Sequence, residues 1–305
     1  MLTKASPSSF FINDHNIDEY NNTNYGSGNK INYSSICSIA KVIAPKAFSV
    51  KYALEGKETY VVNGKKYNVS EGAYLLVNPT CNCEVYISSE TPVKGICIDV
   101  DKSMLTDVFN TLQNPDVIEP YAWQNYMLSE QFFEHRYENH QTATGNYLKL
   151  SETAIAENPS LIRSLPHDFY LQLAENLVVD QLSIIDKLQS IKAAKYTTRK
   201  ELLKRLLKGK EYIDACYRSK IDVSDMATAA NLSEYHFFRL FKAVFRSTPY
   251  QYLLEKRLQY AMNIANTRTV PLSELALELG FADTPSFSKA FKKRFGVPPS
   301  AISSI

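Results

Sequence analysis

The chain has 305 residues, a hydrophobic content of 45% and a formal net charge of +2. That length suits two domains, and that composition is ordinary for a globular protein. The sequence has no apolar run of about 18 residues or more, and its first residues lack the charged start of a signal peptide, so we expect a cytoplasmic location. The five cysteines, an odd number, are expected to be free thiols.

Charge is divided unevenly along the chain. Residues 199–305 hold 18 Lys and Arg against 10 Asp and Glu, whereas residues 1–198 hold 16 against 22. A surface that binds phosphates needs a positive surplus. We therefore expect any contact with nucleic acid to lie in the C-terminal part.

Residues 1–34 are polar and rich in Asn, Ser and Tyr. A stretch of this kind cannot bury enough apolar surface to form a core. We predict a flexible lead-in, and nothing in its sequence specifies a partner.

Short strands are predicted from residue 36 onward, because short segments rich in Val, Ile, Tyr and Phe alternate with turn residues. The segments are residues 36–43, 48–54, 59–62, 66–69, 74–77, 84–87 and 95–100. Asn63-Gly64, between two of them, is the strongest hairpin signal in the chain. Strands this close together predict a small sandwich or barrel over residues 35–105.

Residues 106–195 are predicted to form a helical extension. Its most regular part, residues 166–194, carries an apolar stripe that is interrupted at Asp180 and Gln181. The stripe consists of Tyr170, Leu173, Leu177, Ile184, Leu188 and Ile191. Packing on the protein's own barrel and pairing with a second copy of the chain are both open explanations. After a linker at residues 192–199, Thr198 is expected to cap the next helix.

The C-terminal part contains an internal sequence repeat, whose two copies lie at residues 223–249 and 272–299. Phe237, Phe241 and Phe245 recur at an offset of 50 as Phe287, Phe291 and Phe295. Such phenylalanines lie on one face of a helix because their spacing is close to whole helical turns. Two copies of one segment favour a pair of equivalent binding units.

Each copy predicts a helix, a tight turn and a second, capped helix. Asn231 and Gly280 stand where the first helix must end in the left-handed conformation. Ser233 and Asp283 are favourable N-caps for the next helix. This order is that of a helix-turn-helix, whose second helix enters the major groove. A merely solvated basic face is the plainer alternative, and two matches in register argue against it.

The outward positions of the two second helices are polar, basic or aromatic, the types that contact phosphates and base edges. With the caps and the end of the first helix, the candidate DNA-binding residues are Ser233, Tyr235, His236, Phe238, Arg239, Lys242, Arg246, Thr284, Pro285, Ser286, Ser288, Lys289, Lys292 and Lys293. Base reading is assigned to Tyr235, Phe238, Arg239, Thr284, Ser288 and Lys289. His236 is explained equally well as a solvent-facing side chain.

Residues 198–305 resemble the DNA-binding domain of the AraC/XylS family of bacterial transcription regulators. The resemblance rests on the two units at residues 223–246 and 272–295, on P-x-x-Y-L-x-x-x-R at residues 249–257, and on F-K-K-R-F-G-V-P-P-S at residues 291–300. It implies that one long helix joins the units, so that they read major-groove segments about 10 base pairs apart.

The same resemblance implies an α+β chain. In this family a cupin-like barrel that binds a small effector stands before the DNA-binding domain, and the strands of residues 35–105 resemble it. The family further implies a homodimer and activation through contact with RNA polymerase. The residues themselves leave repression open and do not identify the effector.

Three positions bear on the resemblance. Arg246 stands where Gly usually ends the first recognition helix, so either the C-cap differs or Arg246 adds a phosphate contact. Phe238 stands where a polar base-reader is frequent, and it suits contact with a thymine methyl group. Pro285 opens the second recognition helix, where a missing N–H costs nothing.

Catalysis is the competing explanation of the barrel. A metal-dependent cupin enzyme would need His ligands, and the strand segments contain none. Cys81 and Cys83 are half of a zinc site and are better explained as small apolar side chains, with redox sensing as the alternative. A regulator that transfers a methyl group to cysteine would need a clustered cysteine zinc site, which the sequence lacks. We expect no catalytic residue, metal or cofactor.

Overall fold

The computed structural model describes residues 8–16, 28–112, 121–129, 131–265 and 271–301. The chain forms two compact units, Met1–Ile185 and Asp186–Ile305. The first unit contains the strands together with several helices, and the second is helical. The α+β class predicted from the sequence is therefore confirmed.

The strands of the first unit are β1 (Ser8–Asn13), β2 (Lys30–Ile43), β3 (Phe48–Glu55), β4 (Lys57–Val62), β5 (Lys65–Ser70), β6 (Ala73–Val77), β7 (Cys83–Val100) and β8 (Arg136–Glu138). In the described residues they form one sheet with the order β1-β2-β7-β3-β6-β8, and β4 pairs with both β5 and β7. Only β1 and β2 pair in parallel among the described strands.

The long strands β2 and β7 organise this sheet, because they pair with each other along most of their lengths. The C-terminal half of β7 also pairs with β3, and its N-terminal half pairs with β4. Val62, Val77 and Val85, from strands on both sides of this division, share one buried cluster. The sheet therefore closes over a core, and the predicted strands 84–87 and 95–100 are parts of one strand.

The predicted hairpin at Asn63-Gly64 is confirmed. Both residues have positive φ, 50° and 77°, and Val62 pairs with Lys65 across a two-residue loop. Positive φ at both central positions defines the turn whose twist matches that of the flanking strands. The turn fixes the register of β4 and β5.

The structure differs from the predicted flexible lead-in at its described residues. β1 pairs with the start of β2, and Ile12 is buried. The carboxylate of Asp14 accepts a hydrogen bond from the backbone N–H of Cys37 at 3.0 Å. Strand pairing uses backbone groups that every residue carries, so composition alone missed this strand. Residues 1–7 and 17–27 of the lead-in lie outside the described residues.

The helices of the first unit are α1 (Lys102–Leu112), α2 (Tyr121–Leu128), α3 (Ala143–Glu157) and α4 (His167–Ser190), which continues into the second unit. Short 3-10 turns lie at Asn139–Gln141 and Pro159–Ser164. Strand β8 differs from the predicted helical extension. It pairs with β6, and the rings of Tyr137 and Tyr74 stack with centroids 5.2 Å apart.

The apolar stripe of α4 is buried within the chain. Tyr170, Leu173, Leu177, Ile184 and Leu188 of the helix, and Ile191 directly after it, are each at most 5% exposed. The burial of these residues agrees with packing within the same chain. Pairing of the helix at residues 166–194 with a second copy stays a prediction.

The interruption of the stripe has a structural cause. The carboxylate of Asp180 accepts hydrogen bonds from the backbone N–H groups of Ala143 and Thr144, at 2.9 and 3.0 Å. These are the first turn of α3, whose N–H groups have no partner within the helix. The side-chain oxygen of Gln181 accepts a hydrogen bond from the Tyr126 hydroxyl at 2.7 Å. Both polar residues therefore join α4 to its neighbours.

The second unit contains α5 (Tyr196–Cys216), α6 (Val223–Ala229), α7 (Glu234–Phe245), α8 (Pro249–Ala265), α9 (Leu272–Glu278) and α10 (Thr284–Phe295). The predicted cap at Thr198 is wrong, because α5 begins at Tyr196 and places Thr198 inside the helix. The guanidinium of Arg199 donates to the Ala193 carbonyl at 2.6 Å, and this bond ties the preceding segment to the first turn. Within the described ranges, no helix has the length and hydrophobicity needed to cross a membrane.

Candidate nucleic-acid interface and ligand cavity

The first helix-turn-helix consists of α6 and α7. A reciprocal pair of hydrogen bonds between Asp222 and Asp225, each 3.0 Å long, caps the start of α6. Asn231 follows α6 with φ 51°, the left-handed conformation that the sequence predicted. The Ser233 hydroxyl accepts from the His236 N–H at 3.4 Å and caps α7. The buried Phe237 and Phe241 then face the protein, which leaves the opposite face of α7 outward.

The second helix-turn-helix, α9 and α10, repeats this frame. Gly280 has φ 72° at the turn. The carboxylate of Asp283 accepts a hydrogen bond from the Ser286 N–H at 2.6 Å and caps α10. Phe287 and Phe291 are fully buried, in the positions that Phe237 and Phe241 occupy in the first helix-turn-helix. The predicted caps, turns and buried faces are therefore confirmed in both copies.

The candidate DNA-binding side chains lie at the surface. Thr284 and Ser288 are half-buried, and the other twelve candidates are exposed. Tyr235 is 68% exposed and Phe238 is 42% exposed, which is unusual for rings of this size. The Arg239 guanidinium lies over the Tyr235 ring, 5.8 Å from its centroid. Their use as DNA contacts stays a prediction.

Arg246 ends α7 in the left-handed conformation, with φ 58°. Its counterpart at the end of α10 is Gly296, with φ 81°. The chain therefore keeps the left-handed cap at both ends and accepts a side chain at the first. That conformation costs an L-residue about 1–2 kcal/mol. The C-cap geometry at Arg246 is therefore the same as at Gly296, and a phosphate contact of Arg246 stays a prediction.

Helix α8 joins the two helix-turn-helix segments, as the family resemblance implied. Leu258 and Ala261 are buried in the same cluster as Phe287 and Phe291. The Tyr252 hydroxyl donates to Asp214 of α5 at 2.8 Å. Asp214 also accepts from Lys210 and Lys256, both at 2.9 Å. Burial acts to raise the pKa of the Asp214 carboxyl, but the two lysines and the Tyr252 hydroxyl hold it below the usual range.

Arg257, the last residue of the P-x-x-Y-L-x-x-x-R motif, is only 8% exposed. Its guanidinium donates to the carbonyls of Tyr217 and Ser219, beyond the end of α5, at 2.8 and 2.9 Å. A Cβ placed on Gly280 would lie 2.9 Å from the same guanidinium. The Arg257 side chain thus connects α8, on which it lies, with the end of α5 and the turn of the second helix-turn-helix.

Not every basic residue at this surface is available to a ligand. Arg294, in the last turn of α10, donates to the Glu255 carboxylate of α8 at 2.7 Å. This hydrogen bond lowers the pKa of the Glu255 carboxyl. Lys292 and Lys293 beside it are exposed. Positive charge at a helix C-terminus also complements the helix dipole.

The first unit contains a cavity of about 350 Å³. One part of its wall is polar and includes Lys30, Ser49, Lys51, Glu58, Cys97 and Asp99, and another part is apolar and includes Ile36, Ile39, Val85 and Ile87. The volume lies at the lower end of the range for small-molecule sites. The sequence predicted a barrel but none of these residues, because a strand pattern does not show which lysine points inward.

The polar wall contains groups that are almost completely buried. Asp99 is 6% exposed and pairs with Lys30 at 3.2 Å. Glu58 is 3% exposed and accepts from the Tyr60 hydroxyl at 2.8 Å. Burial raises the pKa of the Glu58 carboxyl to about 7, against the lowering effects of Tyr60 and Lys51. At neutral pH this carboxyl is therefore only partly ionised.

Cys81 and Cys83 pack against the apolar cluster of the sheet, and Cys83 is fully buried. The hydrogen bond between the two side chains raises the pKa of Cys81 and lowers that of Cys83. Among the described residues, no group of three or more His, Cys, Asp or Glu is placed to hold a metal. Their packing agrees with the apolar explanation, and redox sensing stays a hypothesis.

Family comparison assigns both halves of the chain. The family model for an AraC-like ligand binding domain matches residues 44–135, and that for a helix-turn-helix domain matches residues 226–304. The first spans much of the sheet and its cavity, and the second spans most of both helix-turn-helix units. Together they match more than half of the chain.

Relatives and a solved structure were also compared. The chain is 39% identical over 88 residues to the probable transcriptional regulator LumQ of Photobacterium leiognathi, which is 29% of this chain and 36% of that protein. It is 29% identical over 90 residues to the lactose operon transcription activator of Staphylococcus xylosus, 30% of this chain and 32% of that one. A transcriptional regulator with an AraC-type DNA-binding domain from Chromobacterium violaceum is 24% identical, with a TM-score of 0.32, over 33% of this chain and 91% of that structure.

The match therefore spans about a third of each curated relative. Both relatives are named as regulators of transcription, and both matched domains are those of regulators, not of enzymes. This finding overturns the competing explanation of the barrel as a catalytic cupin. The chain belongs to the AraC family of transcription regulators and carries its ligand-binding and helix-turn-helix domains in that order.

Proposed function

We propose that this protein binds a specific DNA site through α7 and α10 and activates transcription there under the control of a small effector. One observation carries the proposal. Two copies of one capped frame bury their phenylalanines and leave polar, basic and aromatic side chains outward. If the helix-turn-helix segments served packing alone, they would not need Tyr235 and Phe238 to be exposed.

The two recognition helices divide the work between them. α7 carries exposed aromatic side chains beside Arg239, which suit thymine methyl groups and guanine edges. α10 carries Lys292 and Lys293, which suit phosphates, beside Lys289, which is assigned to base reading. Each phosphate that a lysine neutralises releases condensed counterions and adds about 0.9 to the slope of log affinity against log salt.

The test is binding to a duplex selected from random sequence. We expect Arg239→Ala to lose about 1–3 kcal/mol on the selected site and to relax one base position, because a bidentate base contact is removed. Lys293→Ala should weaken selected and random duplex alike and lower the salt slope by about 1. Lys208→Ala, which removes an exposed lysine of α5, is the matched control.

Two results would contradict this division. Equal losses of Arg239→Ala on selected and random duplex would mean that Arg239 contacts phosphate alone. Binding of both variants at the level of Lys208→Ala would remove α7 and α10 from the interface altogether.

Activation is supported by the name of one relative, a transcription activator, and by the family resemblance. In this proposal the DNA-bound protein contacts RNA polymerase. Transcription in vitro with purified polymerase measures the sign directly. A rise in transcript over the DNA alone is expected, and a fall would make the protein a repressor.

Effector control is supported by the cavity, because part of its lining, including Lys51 and Glu58, belongs to the residues matched to a ligand-binding domain. A homodimer is part of the proposal, and its pairing through the helix at residues 166–194 stays a prediction. Sedimentation velocity on the purified chain tests this point. A monomer at all micromolar concentrations would remove the dimer from the proposal without affecting the DNA contacts.

A further inference from the structure

We propose that the cavity of the first unit holds a small organic anion whose charged group is bound by the ammonium of Lys51. The inference rests on the proposed effector function and adds the chemical class of the effector. It follows from the surroundings of one buried lysine and from the apolar residues that line the same cavity.

Lys51 lies on β3, lines the cavity and is only 4% exposed. Its hydrogen-bond partner is the Cys97 sulfur, at 2.8 Å. Among the described residues, no carboxylate oxygen lies within 4.0 Å of its nitrogen. An ammonium group has three donors, so two of them have no hydrogen-bond partner among the residues that the structure describes.

This ammonium stays charged. Burial acts to lower the Lys51 pKa, and of the groups that act to raise it the Asp99 carboxylate is the one that does not depend on an ionised cysteine. Burial also raises the pKa of the Cys97 thiol to about 11, so the sulfur at 2.8 Å is a neutral thiol at neutral pH. A buried charge without an opposite charge in contact is costly, and a ligand that supplies one recovers that cost on binding.

Nearby carboxyl groups do not fill this role. Asp99 forms an ion pair with Lys30 at 3.2 Å and accepts a hydrogen bond from the Ser49 hydroxyl. Glu58 accepts from Tyr60, and its raised pKa leaves it partly neutral at pH 7. Lys41 and Lys46 also line the cavity. The cavity wall is therefore positive overall.

The other wall favours an organic anion over an inorganic one. Ile36, Ile39, Val85 and Ile87 line the same cavity and would contact the body of the ligand. Covering apolar surface contributes about 25 cal/mol per Å². Phosphate would satisfy Lys51 but would gain nothing at these side chains. A carboxylate on a small apolar body satisfies both walls.

The test compares probes of equal shape and different charge by calorimetry on the full chain. Hexanoate and 1-hexanol form one pair, benzoate and benzyl alcohol form a second, and inorganic phosphate stands alone. We expect at least one carboxylate to bind about tenfold or more tightly than its alcohol, because a hydrogen bond to a charged group is gained. Phosphate should bind more weakly than that carboxylate.

The variant Lys51→Met keeps the apolar stem and removes the charge. It should abolish the preference for the carboxylate and leave alcohol binding unchanged, whereas Lys57→Met, at an exposed position on β4, should behave as the original chain. A preference that survives in Lys51→Met overturns the assignment to Lys51. If that variant fails to fold, the probe pairs on the original chain still decide.

The remaining outcomes are also decisive. Equal binding of acid and alcohol in both pairs, or no binding of either carboxylate at millimolar concentration, overturns the proposed ligand class. Tighter binding of phosphate would assign the cavity to an inorganic anion instead. Each of these results leaves the duplex binding of α7 and α10 as it is, so failure of the ligand class and failure of DNA binding are measured separately.

Discussion

Arg246 stores backbone strain that glycine would release. Its φ of 58° is one that L-residues avoid at a cost of about 1–2 kcal/mol. Gly296 holds the same place after the second helix-turn-helix without that cost. Glycine loses more backbone freedom on folding, which offsets about 0.5–1 kcal/mol. The guanidinium reaches the Ser190 hydroxyl only at 3.5 Å, so little is lost with it. We expect Arg246→Gly to stabilise the second unit by about 0.5–1 kcal/mol.

The assay is thermal unfolding of the full chain, with hydrogen exchange in α7 and α8 to assign the transition to the second unit. A gain of that size corresponds to about 2–6 °C in a domain of this length. Arg246→Ala is the matched control, because it removes the charge but keeps the strained Cβ. Equal gains in Arg246→Gly and Arg246→Ala would refute the backbone explanation and point to relief of charge repulsion. Any phosphate contact of Arg246 would appear separately, as the same loss of salt slope in both variants.

Three further predictions concern buried positions. Burial raises the Glu58 pKa from its usual 4.5 to about 7, so the folded state holds the proton more tightly and loses stability as pH rises between these values. Glu58→Gln should then stabilise the chain by up to about 3 kcal/mol at pH 8 and hardly at pH 4 in urea unfolding, and a gain equal at both pH values would contradict this. Gly209→Ala should lower stability by about 1–3 kcal/mol, because its Cβ would lie 2.5 Å from the Phe237 ring, and unchanged unfolding would show that the ring moves aside. Gly280→Asn should speed hydrogen exchange in the second helix-turn-helix. The free energy of unfolding of Asn231→Gly should stay within a few tenths of a kcal/mol of that of the original chain.

Local signals carried most of what could be predicted. The Asn63-Gly64 turn, the Asp283 cap and the left-handed Gly280 depend on a few neighbouring residues, and each appears as expected. Strand β1 and strand β8 depend on partners distant in the chain, β2 and β6, and both were missed. Pairing with a distant strand leaves little trace in a short polar segment, because the bonds are made by the backbone.

The candidate sites divide in the same way. The outward face of α7 follows from helical spacing once Phe237 is known to face inward, so its exposed residues could be named from the sequence. The cavity could not, since Lys51 and Glu58 resemble surface residues in a strand that alternates polar and apolar positions. Whether such a residue faces water or a closed barrel is set by the sheet as a whole.

The two turns show why a duplicated segment does not stay identical. After α6 the turn residue is Asn231, whose carbonyl accepts a hydrogen bond from Arg205 at 3.3 Å and whose side chain is exposed. After α9 the equivalent Gly280 meets the buried Arg257, which would lie 2.9 Å from any Cβ there. The first turn needs only a residue that tolerates positive φ, whereas the second also needs an empty Cβ position. The joining helix that makes one domain of two units therefore dictates a glycine in the second copy alone.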